Sequence, residues 1–389
     1  MDNTDTKRRA LLMYISKVSG HRQATAALQR ALRQIDSSME APALNGFGYT
    51  FPILEKVVNQ MYMSVIRRKP EIWERAYDNP RFARRTSWIK EMLYRISRPK
   101  MARLMKEFQP DTVVCTQAFP CGMMADYKIK YNLPLTVIGV LTDFAAHSYW
   151  IHPGVDYYIV PCDECRREFL EKGVPPEQIK VYGIPIRAKF AQHPDREQVA
   201  DSMGLDLKVP TILIMGGGQG LGPIQEVVRH LEELPEPLQM IVTTGTNQNL
   251  LQWLDTRPAI PGKKIVTFEY ASNVDELMSL AQLIVTKPGG LTTSECLAKG
   301  LPMVLVNPLP GQEMRNAQFL LKKGIAIKVD DVSLIGQEIA AILRSPERLT
   351  AMRLAALDEG RPYAARDIAR LILPQPVEVS ADQLILNDV

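Results

Sequence analysis

Two apolar patterns alternate along the chain. Short, nearly continuous β-branched runs suit strands buried on both faces, and stretches with apolar positions three and four apart suit helices packed on one side. In the first half the strand candidates are 7–15, 112–116, 135–141 and Tyr157–Val160. A helix is expected over 21–35, where Ala24, Ala27, Leu28, Ala31 and Leu32 keep helical spacing. Between 55 and 108 a long helical region mixes Met61, Tyr62, Met63, Trp73, Tyr77, Phe82, Trp88, Met92 and Tyr94 with Lys and Arg. The second half repeats the theme, with strands at Thr211–Met215, 239–243, 264–267, Leu283–Thr286 and Met303–Val306. Helices are expected at 223–234, 274–281, 292–299, 313–323 and 332–343. Strands alternating with helices predict an α/β fold with doubly wound parallel sheets. The polar stretch 191–208 separates the two series, so the domains are expected at 1–195 and 196–374, with an irregular tail at 375–389.

Composition narrows the class. With 389 residues, 46% hydrophobic and 23% charged, the chain is too apolar for disorder and long enough for two domains. It holds no uncharged apolar stretch of about 18 residues, the length a spanning helix needs. Its acidic first residues fit a signal peptide poorly, which makes the cytoplasm the default compartment. Five scattered cysteines argue against a disulfide framework, and the Cys162/Cys165 pair lacks the partners of a zinc site. No metal and no cofactor are expected.

Charge is distributed unevenly. The net +4 divides into +9 over residues 1–200 and −5 over 201–389, and residues 51–110 hold 14 basic against 6 acidic side chains. A basic half beside an acidic half implies that one half faces a polyanion, either nucleic acid or an anionic membrane.

Three strand-to-helix turns carry candidate chemistry. The first, Lys17-Val18-Ser19-Gly20-His21, places an imidazole at a helix mouth, where it suits either a general base or a cap. The second, 215–223, has Gly216, Gly217, Gly218, Gly220 and Gly222 around Gln219. It departs from both the dinucleotide fingerprint and the P-loop. The third, Lys287-Pro288-Gly289-Gly290-Leu291-Thr292-Thr293-Ser294-Glu295, joins a close backbone approach to hydroxyls at a helix N-terminus, chemistry suited to a diphosphate. Glu295 suits either a ribose diol or a capping box with Thr292 as N-cap. Further on, Gln312, Glu313 and Asn316 suit either sugar hydroxyls or an ordinary polar helix start.

Together, 215–223, 287–300 and 310–316 closely resemble the diacylglycerol glycosyltransferases, the plant-type monogalactosyldiacylglycerol synthases and bacterial diacylglycerol glucosyltransferases. The resemblance extends through Gly20-His21-Arg22-Gln23-Ala24, through Thr142-Asp143-Phe144 with His147 and Trp150, and through 181–187. It spans roughly residues 7–360, with the motifs in order. It implies a GT-B fold, two Rossmann-like domains facing each other across a cleft. The implied reaction is inverting transfer of galactose or glucose from UDP-galactose or UDP-glucose to the 3-hydroxyl of diacylglycerol, on the cytoplasmic face of a membrane that the protein binds peripherally.

By motif, the resemblance assigns His21 and Asp143 to catalysis, and Gly20, His147 and Trp150 to the acceptor side. Gly217, Gly218, Gln219, Gly289, Gly290, Leu291 and Thr292 are assigned to the nucleotide sugar, with Glu295 on the ribose. Gln312, Glu313 and Asn316 would lie near the hexose, and Tyr270 and Ala271 near the uracil. Glu269 and Ala271 depart from the family's Gly-aromatic-Val pattern, and Lys17, Val18 and Ser19 replace glycines of the first turn. The basic, aromatic 55–108 region would then face an anionic membrane rather than nucleic acid. Two alternatives stay open: a related enzyme with another lipid acceptor, of lipid-II type, or a UDP-sugar-responsive regulatory protein with little turnover.

Overall fold

The computed structural model describes residues 9–15, 20–52 and 80–373. The readings made of Lys17, Val18 and Ser19, of the aromatic and basic positions in 53–79, and of the tail lie outside these residues, as does the Phe82 side chain. Among the described residues the chain forms two six-stranded, wholly parallel sheets in two compact units.

The first sheet contains β1 (Ala10–Tyr14), β2 (Ala43–Asn45), β3 (Thr112–Cys115), β4 (Thr136–Val140), β5 (Tyr157–Val160) and β6 (Ile179–Val181), in the order β2-β1-β3-β4-β5-β6. The second contains β7 (Thr211–Met215), β8 (Leu238–Thr243), β9 (Lys263–Phe268), β10 (Leu283–Thr286), β11 (Met303–Val306) and β12 (Ala326–Val329), ordered β12-β11-β10-β7-β8-β9. In each sheet the chain winds outward one way, returns to the middle, and winds outward the other way. The reversal falls between β1 and β3 in the first sheet and between β7 and β10 in the second. Such a switch point leaves a crevice at the carboxyl ends of the strands, because the loops leaving its two sides diverge.

Central strands are buried on both faces, which explains their unbroken apolar runs. All four residues of Thr112–Cys115, Leu283–Thr286 and Met303–Val306 are buried. Helix Gly20–Ile35 buries the expected Ala24, Ala27, Leu28, Ala31 and Leu32 against the first sheet's core. Helix Ala364–Ile372 joins this same core through Ala365, Ile368, Ala369 and Ile372. It belongs to the first unit, whereas sequence order places it in the second half. An amphipathic stripe is held where it finds apolar surface, and chain position does not decide that. The first unit also takes Pro310–Gln312, and the second begins at Lys189. The polar 191–208 stretch contains a short helix, Arg196–Ser202, capped by the Asp195 carboxylate.

Candidate functional site

Both switch points hold residues singled out by the sequence, and each is built differently. In the first unit, His21 is the second residue of helix Gly20–Ile35. Its Nδ1 lies 2.8 Å from the Thr116 carbonyl, just past the end of β3, and 2.8 Å from the Thr142 hydroxyl, past the end of β4. A carbonyl only accepts, so Nδ1 carries the proton and Nε2 keeps the lone pair. The hydroxyls of Thr25 and Thr116 are 2.9 Å apart, and both reach the His21 carbonyl, at 2.9 and 3.1 Å. These bonds fasten the first helical turn to the strand end. The His21 ring is therefore not a cap for its own helix. Burial lowers the imidazole pKa below its ordinary 6.5, and the Thr116 carbonyl offsets this only in part. At neutral pH the ring is a neutral base.

A pocket at this switch point is lined by His21, Thr142, Asp143, His147, Trp150 and Gln312, among others. The structure thus brings together five of the side chains picked from sequence. Trp150 is buried, and the His147 ring lies tilted against it with centroids 6.0 Å apart. Gly20 is exposed and opens the helix. Sequence reasoning missed Thr25 and Thr116. Their only signal is that small hydroxyls stand beside an otherwise apolar helix face and at a strand end.

In the second unit the site is mostly backbone. The turns after β7 and β10 leave adjacent strands at one level, with Met215 paired to Thr286 and the Thr286 hydroxyl donating to the Met215 carbonyl at 2.8 Å. The glycines after β7 divide into two kinds. A Cβ at Gly216 would fall 2.3 Å from the Leu221 carbonyl, and one at Gly220, with φ +57°, would fall 2.0 Å from the Thr244 carbonyl. The fold itself requires those two. A Cβ at Gly217, Gly218 or Gly289 meets no protein atom within 4 Å, so these three border open space. Gln219 is exposed beside them in the short helical turn Gly217–Gln219.

Helix Gly290–Lys299 starts earlier than expected, with Gly289 as N-cap, and its first i to i−4 bond runs from the Thr293 N–H to the Gly289 carbonyl at 2.9 Å. Thr292 is the third helical residue and Glu295 the sixth, which excludes the capping box. The N–H groups of Gly290, Leu291 and Thr292 have no acceptor within the helix, and Gly289 offers no side chain to cap them. Backbone donors and the helix dipole thus converge on the space beside Gly289, an arrangement that takes a phosphate.

The helix Gln312–Lys322 closes one flank. Glu313 Oε1 lies 3.1 Å from Lys287 Nζ, and Oε2 accepts from the Leu309 N–H at 2.6 Å. Asn316 differs from expectation. It is fully buried, and its Nδ2 donates to the Pro288 carbonyl at 2.8 Å, so it holds the turn's shape from behind. Tyr270 is 71% exposed just past the end of β9, with Ala271 half-buried next to it. Among the described residues no cluster of three or more His, Cys, Asp or Glu is placed to hold a metal ion, and no helix is long and apolar enough to cross a membrane. All five cysteines are buried and free.

Residues 21–186 match the family described as monogalactosyldiacylglycerol (MGDG) synthase, and residues 211–368 match the glycosyltransferase family 28 C-terminal domain. A processive diacylglycerol beta-glucosyltransferase of Bacillus cereus (strain 03BB102) is 31% identical over 369 residues, covering 92% of this chain and 91% of the relative. A protein of the same description from Bacillus anthracis (strain A0248) is 30% identical over 365 residues, with equal coverage. Among solved structures, MurG of Acinetobacter baumannii superimposes with a TM-score of 0.63 at 18% identity, over 94% of this chain and 99% of that one. The calicheamicin glycosyltransferase CalG4 gives 0.56 at 13%, over 94% and 98%.

Proposed function

The chain belongs to the diacylglycerol glycosyltransferase family, built on the GT-B fold, and we propose its reaction from that premise. It is a hexosyltransferase that moves a sugar from a UDP-sugar to the 3-hydroxyl of 1,2-diacylglycerol, with inversion, giving a β-monoglycosyldiacylglycerol. The observation that carries the reading is the placement of the His21 ring. Its Nδ1 proton is held by Thr116, which leaves Nε2 basic in a pocket shared with Asp143. In the reaction the acceptor oxygen attacks the anomeric carbon while its proton passes to Nε2. The bond from that carbon to the diphosphate breaks, and UDP departs with the electron pair. Asp143 orients the acceptor or the imidazolium that forms, and His147 and Trp150 line the acceptor side.

The departing diphosphate is stabilised by the N–H groups at the start of helix Gly290–Lys299, which are already oriented before charge develops. Glu295 takes the ribose, the backbone at Tyr270-Ala271 the uracil, and Gln312 and Glu313 the hexose hydroxyls. Glucose is the favoured hexose, because the relatives that match along most of the chain are described as glucosyltransferases.

The enzyme works as a peripheral protein on the cytoplasmic face of an anionic membrane. In helix Pro80–Phe108, Trp88, Met92 and Ile96 stand exposed at intervals of four, on one face, and Arg95 and Lys100 are exposed nearby. Apolar side chains beside cations suit a lipid interface, and such binding weakens with salt.

The test is incubation of purified protein with diacylglycerol vesicles and UDP-glucose or UDP-galactose separately, followed by resolution of the lipid products. A β-glucosyl lipid is expected. No glycosyl lipid from either donor, with turnover on a polyprenyl acceptor instead, would overturn the acceptor. UDP-galactose outperforming UDP-glucose would overturn the hexose.

A further inference from the structure

The loop from β4 to the turn Ser148–Trp150 carries Asp143 and His147, yet it lies outside the sheet ladder that would fix its backbone. One peptide within it is held in another way. Ala146, fully buried and adjacent to His147, donates its N–H to the Glu168 carboxylate, and its carbonyl accepts from Lys172 Nζ at 2.7 Å. Glu168 and Lys172 are four residues apart at the end of helix Asp163–Glu171, and their charged groups are 3.7 Å apart. The pair therefore offers the Ala146 peptide one acceptor and one donor, as a neighbouring strand would. Neither side chain lines the pocket.

We propose that Glu168 and Lys172 form a two-point clamp on the Ala146 peptide that positions Asp143 and His147 for the acceptor. Both are positioning residues, acting through the backbone. The proposal rests on the reading above that this loop forms the acceptor side of the site. Burial raises the Glu168 carboxyl above its usual range, and Lys172 and the Ala146 N–H offset this only in part.

Glu168→Ala, Lys172→Ala, the double variant, Glu168→Gln and Lys172→Arg test this, with kcat and KM measured for diacylglycerol and UDP-glucose beside thermal melts. Small misplacements of reacting groups cost up to about a hundredfold in rate. A fall of about tenfold in kcat/KM for diacylglycerol is expected in each alanine variant, with the UDP-glucose KM unchanged. The double variant should be no worse than the poorer single one. Glu168→Gln keeps an acceptor and Lys172→Arg keeps a donor, so both should recover most of the activity. Equal losses toward both substrates, or no rescue by the conservative variants, would reduce the pair to a structural role and overturn the proposal. So would wild-type kinetics in the alanine variants while Asp143→Asn and His147→Ala lose activity. Should those two variants also keep full activity, the acceptor-side reading fails instead.

Discussion

The two switch points share a topology and differ in material. The first is made of side chains: an imidazole, a carboxylate and threonine hydroxyls at the ends of β1, β3 and β4. The second is mostly backbone, with glycines bordering open space and helix N–H groups that the N-cap residue does not cap. The difference fits the chemistry proposed for each. Moving a proton needs a group with a titratable lone pair. Holding a diphosphate takes fixed donors, which peptide dipoles can supply without a net charge. On that reading, an anion can be bound by the half of the chain whose net charge is −5. Local dipoles act at contact distance, whereas the bulk charge is screened over about 8–10 Å.

The sharpest way to break this contrast is His21→Ala. Removal of a general base costs about 10²–10⁴ in rate, and the loss should appear in kcat with UDP-glucose binding unchanged. Steady-state kinetics with both substrates varied checks it. Near wild-type turnover would move the base to another group, with Asp143→Asn as the next variant to measure.

Glycine replacements should separate fold from ligand in the second unit. Gly220→Ala forces a Cβ against the Thr244 carbonyl at φ +57°. Left-handed backbone alone costs an L residue about 1–2 kcal/mol, and the clash adds to it. A clearly lower melting temperature is expected. Gly289→Ala introduces a Cβ that meets no protein atom, so stability should stay within about 0.5 kcal/mol, as at other featureless positions. If a phosphate lies there, the UDP-glucose KM should rise by about tenfold, equivalent to about 1.4 kcal/mol. Calorimetry of UDP binding beside thermal melts distinguishes the two variants, and a Gly289→Ala protein that binds UDP normally would remove the phosphate from this turn.

How much of this was readable beforehand depended on burial. Tyr157–Val160, Thr211–Met215, Leu283–Thr286 and Met303–Val306 agree in extent with the runs seen in the sequence, because strands covered on both faces exclude polar residues. The strands Ala43–Asn45, Ile179–Val181 and Ala326–Val329 were not anticipated. They are short, lie at or near sheet edges and are partly exposed, so little pressure shapes their pattern. Helix Ala364–Ile372 did carry a signal, with Ala365, Ile368, Ala369 and Ile372 at helical spacing. Nothing in that spacing tells which core it will join. At the site, residue type revealed capacity without assignment. Asn316 can bind a sugar or hold a loop with the same amide, and only its burial against Pro288 decides. Thr292 can cap a helix, yet the helix begins at Gly290, because Gly289 readily takes the extended N-cap conformation.

The smallest expected effect tests the same contrast through pH. In the proposed reaction, only the first site contains a group whose protonation state matters near neutrality. An exposed histidine would lose its base form as pH fell through about 6.5. Burial disfavours the charged ring, so the His21 pKa lies below that value, and the neutral form persists into more acidic solution. The acidic limb of kcat/KM for diacylglycerol should therefore have its midpoint below pH 6.5, whereas UDP binding, held by backbone N–H groups, should show no inflection there. An acidic midpoint at or above 6.5 would mean that the group titrating in the free enzyme is not this imidazole. An inflection shared by UDP binding would mean that the diphosphate is held by a side chain titrating near neutrality, and the division between side-chain and backbone sites would no longer hold.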